Sequence, residues 1–353
     1  MAAPMLVPGL LLFAVIFTFA ASHSLRIPMT TETKNEKLFE EFIVKYGKSY
    51  RPGSDEYKRR FNIFQDNLVR QAKLNATANS NGSAYYGVTQ FSDLTPEEFK
   101  AKYLNINGGP PIQTAIVYSS KSSNVLRFKP SVIDYKKLNI PQKWDWREKK
   151  VVTPVKNQLH CGACWAFSSV ENIETMHAIK TGTLSDLSTQ QMIDCAGNGN
   201  YGCSGGDICM ALSWLQTTKM KLVTENKYPL TNKSNYCKMF PTGYTGIPIN
   251  SSTCHTFVNQ EDEMLRLIAE HGPLTISVDA VTWNDYLGGI IQYHCSTFNN
   301  HAVVIVGYDL TGDIPYYIVR NSWGNAFGIN GYLHIKVGMN VCGVAVRVAT
   351  VTV

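Results

Sequence analysis

Apolar residues recur at helical spacing in the N-terminal part of the chain, between about residues 31 and 74. They stand three or four positions apart among charged residues, as in an amphipathic helix. The larger ones are Phe39, Phe42, Ile43, Phe61, Phe64 and Leu68. Arg51-Pro52-Gly53 interrupts the pattern, and Ser54 can cap the helix that follows. Further on, Tyr85–Phe91 alternates like a short strand, and Thr95-Pro96-Glu97-Glu98 has the order of an N-cap, a first-turn proline and an acidic first turn. This part of the chain is therefore predicted to be mainly helical.

A different pattern fills the C-terminal part of the chain. Up to about residue 214 the patterns are mainly helical, and Ala166–Lys180 is predicted to be an amphipathic helix. Beyond Pro248, segments rich in Val, Ile and Tyr are separated by turns. The predicted strands are Leu274–Val278, His301–Tyr308, Pro315–Asn321, Tyr332–Val337 and Val344–Val353. We therefore expect an α+β fold in which a helical half (about 150–249) meets a β half (about 250–353) at a cleft.

The first residues have the shape of a secretory signal peptide. An apolar run at residues 10–17 is followed by the small residues Ala20-Ala21-Ser22, although no Lys or Arg precedes the run. The alternative is a signal anchor, but the run is short, so we expect cleavage after about residue 21. No other segment is apolar enough to span a bilayer. Residues 105–129 are rich in Gly, Pro, Ser and Asn and are predicted to be a linker.

The cysteines and the candidate glycosylation sites favour an oxidising compartment for this protein. The chain has 353 residues, of which 44% are hydrophobic and 17% charged, and its net charge is +6. Lys and Arg are scattered, so neither nucleic acid nor an anionic membrane surface is an expected partner. Nine cysteines, all from Cys161 onward, leave at least one thiol unpaired if the others form disulfides. Candidate glycosylation sites are Asn75, Asn81, Asn232 and Asn250.

The candidate chemistry begins with Cys161-Gly162-Ala163-Cys164 at the predicted helix start. A cysteine at a helix N-terminus is favoured as thiolate by the helix dipole. Taken alone, this stretch fits a redox pair, half of a zinc site, or a nucleophilic cysteine beside a structural one. A nucleophilic cysteine needs a base and an orienting group. His301 opens a predicted strand, and Asn321-Ser322-Trp323-Gly324 offers an amide to orient its ring and an indole to shield it.

Several motifs together resemble the papain family of cysteine peptidases. They are Gln158 with Cys161-Gly162-Ala163-Cys164-Trp165, Gly202-Cys203-Ser204-Gly205-Gly206, His301-Ala302 and Asn321-Ser322-Trp323-Gly324. Upstream, Glu56, Arg60, Phe64, Asn67 and Asn75 match the ERFNIN helix of cathepsin L-type propeptides, and Gly87–Asp93 matches their second motif. The resemblance covers essentially the whole chain. It implies a papain-like fold, with an inhibitory propeptide at 22–139 and a peptidase domain at 140–353.

The resemblance also assigns roles. It implies that Cys164 is the nucleophile, His301 the general base and then acid, and Asn321 the residue that orients His301. Gln158 and the Cys164 backbone N–H would form the oxyanion hole. The helix dipole and the imidazolium would lower the pKa of Cys164. Implied disulfides are Cys161–Cys203, Cys195–Cys237 and Cys295–Cys342, which argues against the redox interpretation and leaves Cys209 and Cys254 open. The zinc interpretation lacks a second close Cys/His pair in the sequence.

The implied substrate-binding residues are Gly205, Gly206, Asp207, Ile208, Ser277, Ala302, Trp323 and Arg347. Opposite charges on Asp207 and Arg347 are expected to neutralise each other, so that their pocket accepts aliphatic side chains. No metal or organic cofactor is expected. Expected partners are peptide and protein substrates, the chain's own propeptide and cystatin-type inhibitors, and the enzyme is expected to be monomeric in a lysosomal or endosomal lumen or outside the cell. The rival expectation is a catalytically weak, peptide-binding relative that uses the same cleft.

This sequence departs from the family pattern at three positions. Gln71 replaces an apolar residue of the propeptide helix, Thr89 replaces Asn, and Leu159 stands where a glycine is usual after Gln158. The first two affect details of the propeptide, and the third affects the local backbone. Acidification is expected to release the propeptide through carboxylates such as Asp93, Glu97 and Glu98.

Overall fold

The computed structural model describes residues 31–78, 81–104, 133 and 135–353. The predicted signal peptide and the predicted linker at 105–129 lie outside the described residues. The described chain consists of an N-terminal segment, residues 31–104, packed against a larger domain, residues 135–353.

The secondary structure follows the predicted order. The helices are α1 (Thr31–Lys45), α2 (Asp55–Ala76), α3 (Pro96–Tyr103), α4 (Cys164–Thr181), α5 (Thr189–Cys195), α6 (Ile208–Thr218) and α7 (Glu261–Glu270). The strands are β1 (Tyr85–Tyr86), β2 (Lys143–Asp145), β3 (Ser251–His255), β4 (Leu274–Val278), β5 (Tyr286–Gly288), β6 (Ile290–Ile291), β7 (His301–Asp309), β8 (Tyr316–Arg320), β9 (Tyr332–Lys336) and β10 (Arg347–Thr352). None of the described helices is both long and apolar enough to cross a membrane.

Side-chain caps start the N-terminal helices where the sequence indicated. The Ser54 hydroxyl accepts a hydrogen bond from the Tyr57 N–H at the start of α2. At α3, Thr95 and Glu98 form a reciprocal capping box, which satisfies two backbone donors. Helices α1 and α2 bury Phe39, Phe42 and Phe64 between them. This segment therefore has a small apolar core of its own.

The sheet of the larger domain forms most of the β half. Its strands follow the order β3-β10-β4-β7-β8-β9-β6, and β2 pairs with β7. All pairs are antiparallel except β6 with β9. β4 is buried at every position, and β7 is buried up to its last residue. β4 alternates apolar residues with Thr275 and Ser277, whereas β7 is almost continuously apolar after His301, its first residue. The two strands form the buried centre of the sheet.

Two features of the larger domain differ from the sequence-based expectation. Helix α4 is buried on all sides from Cys164 to Thr175, so the prediction of an amphipathic helix is wrong. It packs against β7 and the sheet on one side and against α5 and α6 on the other, and its polar side chains bond inside the protein. In addition, only strands were predicted in the β half, but helix α7 lies there. Its sequence, Glu261-Asp262-Glu263 followed by Met264, Leu265 and Ile268, does have a helical pattern.

The N-terminal segment is attached to the larger domain by a strand pair. β1 runs antiparallel to β5, with Tyr85 opposite Gly288 and Tyr86 opposite Tyr286. The predicted strand Tyr85–Phe91 is a strand only at these two residues. The chain then turns, and Asn67 of α2 donates to the backbone carbonyls of Ser92 and Leu94, which holds that turn against the helix.

Candidate active site

Cys164 is the first residue of α4 and has no exposed surface. The preceding N-cap, Ala163, offers no side-chain acceptor, so the helix N-terminus is open toward Cys164. Among the described residues, which include all nine cysteines, Cys164 is the free one. Burial raises the pKa of its thiol to about 12, against backbone hydrogen bonds from Ala302, Trp165 and Cys164 itself. The expected low pKa therefore does not hold in this form of the protein, because desolvation outweighs the helix N-terminus.

His301 is the first residue of β7 and is held by Asn321. Its Nε2 lies 2.8 Å from Oδ1 of Asn321, and the same Oδ1 accepts the Ser322 N–H at 2.8 Å. Because that oxygen is the acceptor in both bonds, Nε2 of His301 carries the proton and Nδ1 is left as the basic nitrogen. Within the described chain, Nδ1 is buried and has no hydrogen-bond partner. Burial lowers the pKa of His301 to about 4, although the bond to Asn321 acts to raise it.

Gln158 is held by the turn that also contains Asn321. Its Oε1 accepts from the Ser322 hydroxyl at 2.6 Å, and its backbone N–H donates to the Ser322 carbonyl at 2.8 Å. The side-chain Nε2 donates to the carbonyl of Cys161 at 3.0 Å and to that of Tyr103 at 3.1 Å. The turn after β8 therefore orients both His301 and Gln158. Cys164 lies close to them, because it contacts the backbone of Ala302, the residue after His301.

The N-terminal segment covers this place. Its Phe91, Phe99 and Tyr103 rings lie 5.5, 5.3 and 6.4 Å from the ring of Trp323. The Trp323 ring in turn lies 4.7 Å from that of His301, where it shields the imidazole from solvent. The N-terminal segment thus packs on Trp323, the ring that shields His301.

The predicted substrate-binding residues form a wall beside His301. Ser277, Ala302 and Arg347 lie side by side on β4, β7 and β10. Asp207 pairs with Arg347 at 2.7 Å, and both side chains are almost fully buried. The other oxygen of Asp207 accepts the N–H groups at the start of α6, where Ile208 is also buried.

Gly205 and Gly206 directly precede Asp207 of this wall in the sequence. Gly205 has a φ of 113°, a conformation that L side chains rarely adopt. A Cβ on Gly206 would lie 2.7 Å from the Trp165 ring and 2.5 Å from Oδ1 of Asn200. Both positions therefore require glycine.

Disulfides surround the site. The structure joins Cys161 to Cys203, Cys195 to Cys237, Cys295 to Cys342 and Cys209 to Cys254. The last pair is the one that the sequence left open. Because Cys161 is bonded to Cys203, it is not available as a redox partner of Cys164. Among the described residues there is no group of three or more His, Cys, Asp or Glu side chains that could hold a metal ion.

The sequence analysis missed a buried charge network behind the site. Glu171 pairs with Arg320 at 3.2 Å, and Glu174 accepts from Lys156 at 2.9 Å and from Thr153 at 2.6 Å. Burial raises the pKa of Glu171 to about 7, although the charge of Arg320 acts to lower it. The network ties together the segments that carry Cys164, Asn321 and Gln158. The two acidic residues three positions apart in α4, flanked by Val170 and Ile173, were the available signal.

The four glycosylation candidates differ in their surroundings. Asn81 and Asn250 are exposed, and Asn232 is half-buried. Asn75 is exposed, but its side-chain amide exchanges two hydrogen bonds with the backbone of Tyr86.

Comparison with known proteins agrees with this architecture. The chain matches the family described as "Papain family cysteine protease" over residues 140–352 and "Cathepsin propeptide inhibitor domain (I29)" over residues 39–99. It is 46% identical to human (Homo sapiens) cathepsin O over 299 residues, which are 84% of this chain and 88% of the human protein.

Two solved precursor structures are similar over nearly the whole chain. The structure of recombinant stem bromelain precursor aligns with a TM-score of 0.74 at 32% identity, covering 91% of this chain and 99% of the bromelain precursor chain. Digestive procathepsin L2 from Tenebrio molitor aligns with a TM-score of 0.73 at 31% identity, covering 90% and 100%. The chain belongs to the papain family of cysteine peptidases and carries that family's cathepsin-type propeptide.

Proposed function

We propose that this chain is the zymogen of a cysteine endopeptidase in which Cys164 is the nucleophile and His301 the general base. The observation that carries the proposal is the tautomer of His301. Its Nε2–H is bonded to Asn321, and its unprotonated Nδ1 is unpartnered within the described residues, where the only free cysteine is Cys164. The thiol of Cys164 contacts the backbone of Ala302, the residue next to His301 on β7. A base that a third group orients near a thiol is the arrangement that activates a nucleophile.

The proposed reaction has two halves. In the first, Sγ of Cys164 attacks the peptide carbonyl, the thiol proton passes to Nδ1 of His301, and the carbonyl oxygen becomes an oxyanion. Nε2 of Gln158 and the Cys164 N–H stabilise that charge. Collapse of the intermediate breaks the C–N bond, His301 gives its proton to the leaving amine, and a thioester remains.

Water completes the second half. His301 accepts a proton from water, and the hydroxide adds to the thioester carbonyl. The C–S bond then breaks to release the acid, and His301 returns its proton to the Cys164 sulfur. Once the propeptide has left, solvent enters the cleft and the desolvation that opposes charge at Cys164 and His301 is relieved. The helix N-terminus and the imidazolium then favour a thiolate–imidazolium pair.

The propeptide acts as an intramolecular inhibitor. Its rings Phe91 and Phe99 cover Trp323, which shields His301, and its Tyr103 carbonyl occupies the donor of Gln158. The domain limits proposed are 1–21 for the signal peptide, 22–139 for the propeptide and 140–353 for the peptidase domain. A signal-like N-terminus and a disulfide-rich domain support the secretory pathway, with lysosomal or endosomal protein breakdown as the physiological role.

The proposed substrates have an aliphatic side chain at one position, which the residues of the pocket wall support. With Arg347 neutralised by Asp207, the remaining lining residues Ile208 and Ala302 favour an aliphatic side chain two residues before the scissile bond. No inserted segment blocks the cleft in the sequence, which favours an endopeptidase.

The test is hydrolysis of internally quenched peptides by the acid-activated chain. The proposal requires cleavage within the peptide and none by Cys164→Ser prepared in the same way. Binding of the peptides without cleavage would instead support the catalytically weak, peptide-binding relative.

A further inference from the structure

The end of helix α3 lies in the cleft like a bound ligand. The carbonyl of Tyr103 accepts from Nε2 of Gln158 at 3.1 Å, and the carbonyl of Leu104 lies 3.7 Å from the place of a Cβ on Gly162. The main chain at residues 103–104 therefore occupies the position beside the oxyanion-hole donor. Side chains attached to it report which groups the neighbouring surface accepts.

The side chain of Tyr103 lies between two rings of the peptidase domain. Its ring centre is 5.4 Å from that of His160, with the planes at 70°, and 6.4 Å from that of Trp323, at 73°. Both contacts are edge-to-face arrangements, which are favourable between aromatic rings. When the propeptide leaves, Phe91, Phe99 and Tyr103 leave with it, and an apolar face on Trp323 bordered by His160 becomes available.

We propose that His160 is a specificity-determining residue, which selects aromatic side chains among the substrate residues bound on the Trp323 side of the cleft. This inference rests on the proposed function and extends it to a part of the site to which no role was assigned above. Tyr103 is the occupant in the zymogen, and an aromatic substrate residue takes its place in the mature enzyme.

The backbone holds His160 at this border. Leu159, directly before it, has a left-handed φ of 48°, and its N–H donates to Oδ1 of Asn157 at 3.0 Å. Directly after it, Cys161 is tied to Cys203. His160 is thus an exposed side chain on a constrained turn between the donor of Gln158 and a disulfide.

The charge of His160 strengthens the same preference at acidic pH. In the zymogen, burial and the positive charges of Lys102 and Lys48 lower its pKa. All three causes involve the propeptide, since both lysines belong to it and Tyr103 covers the ring. After its removal the pKa returns toward the ordinary value of about 6.5, so His160 is cationic in an acidic lumen and attracts an electron-rich ring.

The experiment uses the acid-activated full-length chain and two peptide series. In one series the two residues after the scissile bond are varied among Tyr, Phe, Leu and Ala, and in the other only the residue two before it. kcat/KM is measured at pH 5 for the wild type, His160→Ala, His160→Gln and His255→Ala. His255 is a matched control, because it is an exposed histidine at the end of β3, an edge strand of the sheet, and its ring lies edge-on to that of Phe257.

We expect the Tyr-to-Leu ratio of kcat/KM in the first series to fall about two- to tenfold in His160→Ala, the range of an aromatic pair. His160→Gln should give a similar fall, because the amide lacks the ring and the charge, and His255→Ala should match the wild type. The second series should keep its ratios in all variants. An unchanged Tyr-to-Leu ratio in both His160 variants, with peptide hydrolysis intact, would overturn the role of His160 alone. No hydrolysis of any peptide by the wild type would contradict the proposed function and this inference with it.

Discussion

The side-chain amide of Gln158 donates to the backbone carbonyl of Tyr103 across 3.1 Å. In the proposed reaction this amide stabilises the oxyanion, so the propeptide satisfies the very donor that catalysis needs. Inhibition thus combines two effects, the exclusion of solvent from Cys164 and the occupation of the oxyanion-hole donor. Release of Tyr103 restores both the access and the donor.

Substitution of Cys164 should abolish catalysis, whereas substitution of Cys161 should reduce stability. Cys164→Ser should lower peptidase activity at least about 10³-fold and leave the fold intact, because it replaces the nucleophile with a poor one. Cys161→Ser removes the bond to Cys203 and should cost about 2–5 kcal/mol of stability. Secretion yield, thermal unfolding and kcat/KM measured on both variants distinguish these effects. A well-folded but inactive Cys161→Ser, together with an active Cys164→Ser, would reverse the two roles.

Acid release of the propeptide should depend on histidines of the peptidase domain. His160 and His294 both contact the propeptide, the first through the Tyr103 ring and the second through the hydroxyl of Thr77 at 2.6 Å. Burial lowers the pKa of both in the zymogen. The released form has the higher pKa and binds more protons as the pH falls below about 6.5, so acidification favours release.

The expected acid sensor among the carboxylates is not supported for Glu98. Burial acts to raise its pKa, but hydrogen bonds from Arg60, the Thr95 N–H and Arg59 lower it to about 2. Glu98 therefore stays charged and paired at the pH of a lysosome.

We predict that His294→Gln shifts the midpoint of propeptide release to lower pH, whereas Glu98→Gln weakens the zymogen at neutral and acidic pH alike. Both substitutions are made in the Cys164→Ser background, which prevents self-cleavage. An added protease cuts the linker, as followed on gels, and gel filtration at each pH then detects release of the propeptide. An unchanged midpoint in His294→Gln, together with a Glu98→Gln zymogen that is weakened at neutral pH but unchanged at acidic pH, would return the sensor to the carboxylate.

Local patterns predicted the elements of the site but not their contacts. Cys164 begins a helix and His301 begins a strand, as the sequence indicated, because the helical spacing in α4 and the continuous apolar run of β7 are patterns within a few residues. The partners Gln158 and Tyr103 are far apart in the chain, and so are Glu171 and Arg320. No periodicity records such pairs, since they depend on how finished elements pack.

The same limit explains why the prediction of an amphipathic α4 was wrong. The spacing of apolar residues on α4 indicated one buried face, but elements from both halves of the domain cover the helix on every side. Its polar residues are buried because partners such as Arg320 and Lys156 come from other segments.

Specificity should respond to the pair Asp207–Arg347. Asp207→Asn removes the negative charge but keeps an oxygen that can cap α6, since Asn is a good N-cap. We expect Arg347 to become available to substrate carboxylates, so that kcat/KM for Glu relative to Leu, two residues before the scissile bond, rises by about threefold or more. The double variant Asp207→Asn/Arg347→Ala should lose this gain. No rise in the single variant would mean that Arg347 does not face the pocket.

Leu159 should be replaceable by glycine at no cost in stability. Its left-handed backbone costs a non-glycine residue about 1–2 kcal/mol, and the greater freedom of glycine in the unfolded chain offsets about half of that. We expect Leu159→Gly to change the free energy of unfolding by about 0 to 1 kcal/mol in the stabilising direction. Leu184→Gly is the control, because Leu184 is similarly exposed, at 43% against 49%, without a left-handed φ. Thermal unfolding of both zymogen variants makes the comparison, and a larger loss in Leu159→Gly than in Leu184→Gly would contradict it.

The most direct test of the proposed nucleophile is active-site titration with a thiol-directed epoxide peptide, followed by mass spectrometry of the labelled protein. At neutral pH the intact zymogen should remain unlabelled, because Cys164 is fully buried and its thiol is neutral. After acid activation and removal of the propeptide, one probe per chain should be bound, on Cys164, with loss of peptidase activity in proportion. Cys164→Ser should take up none. Labelling of another residue, or an activated enzyme that hydrolyses peptides with Cys164 unlabelled by saturating probe, would contradict the account.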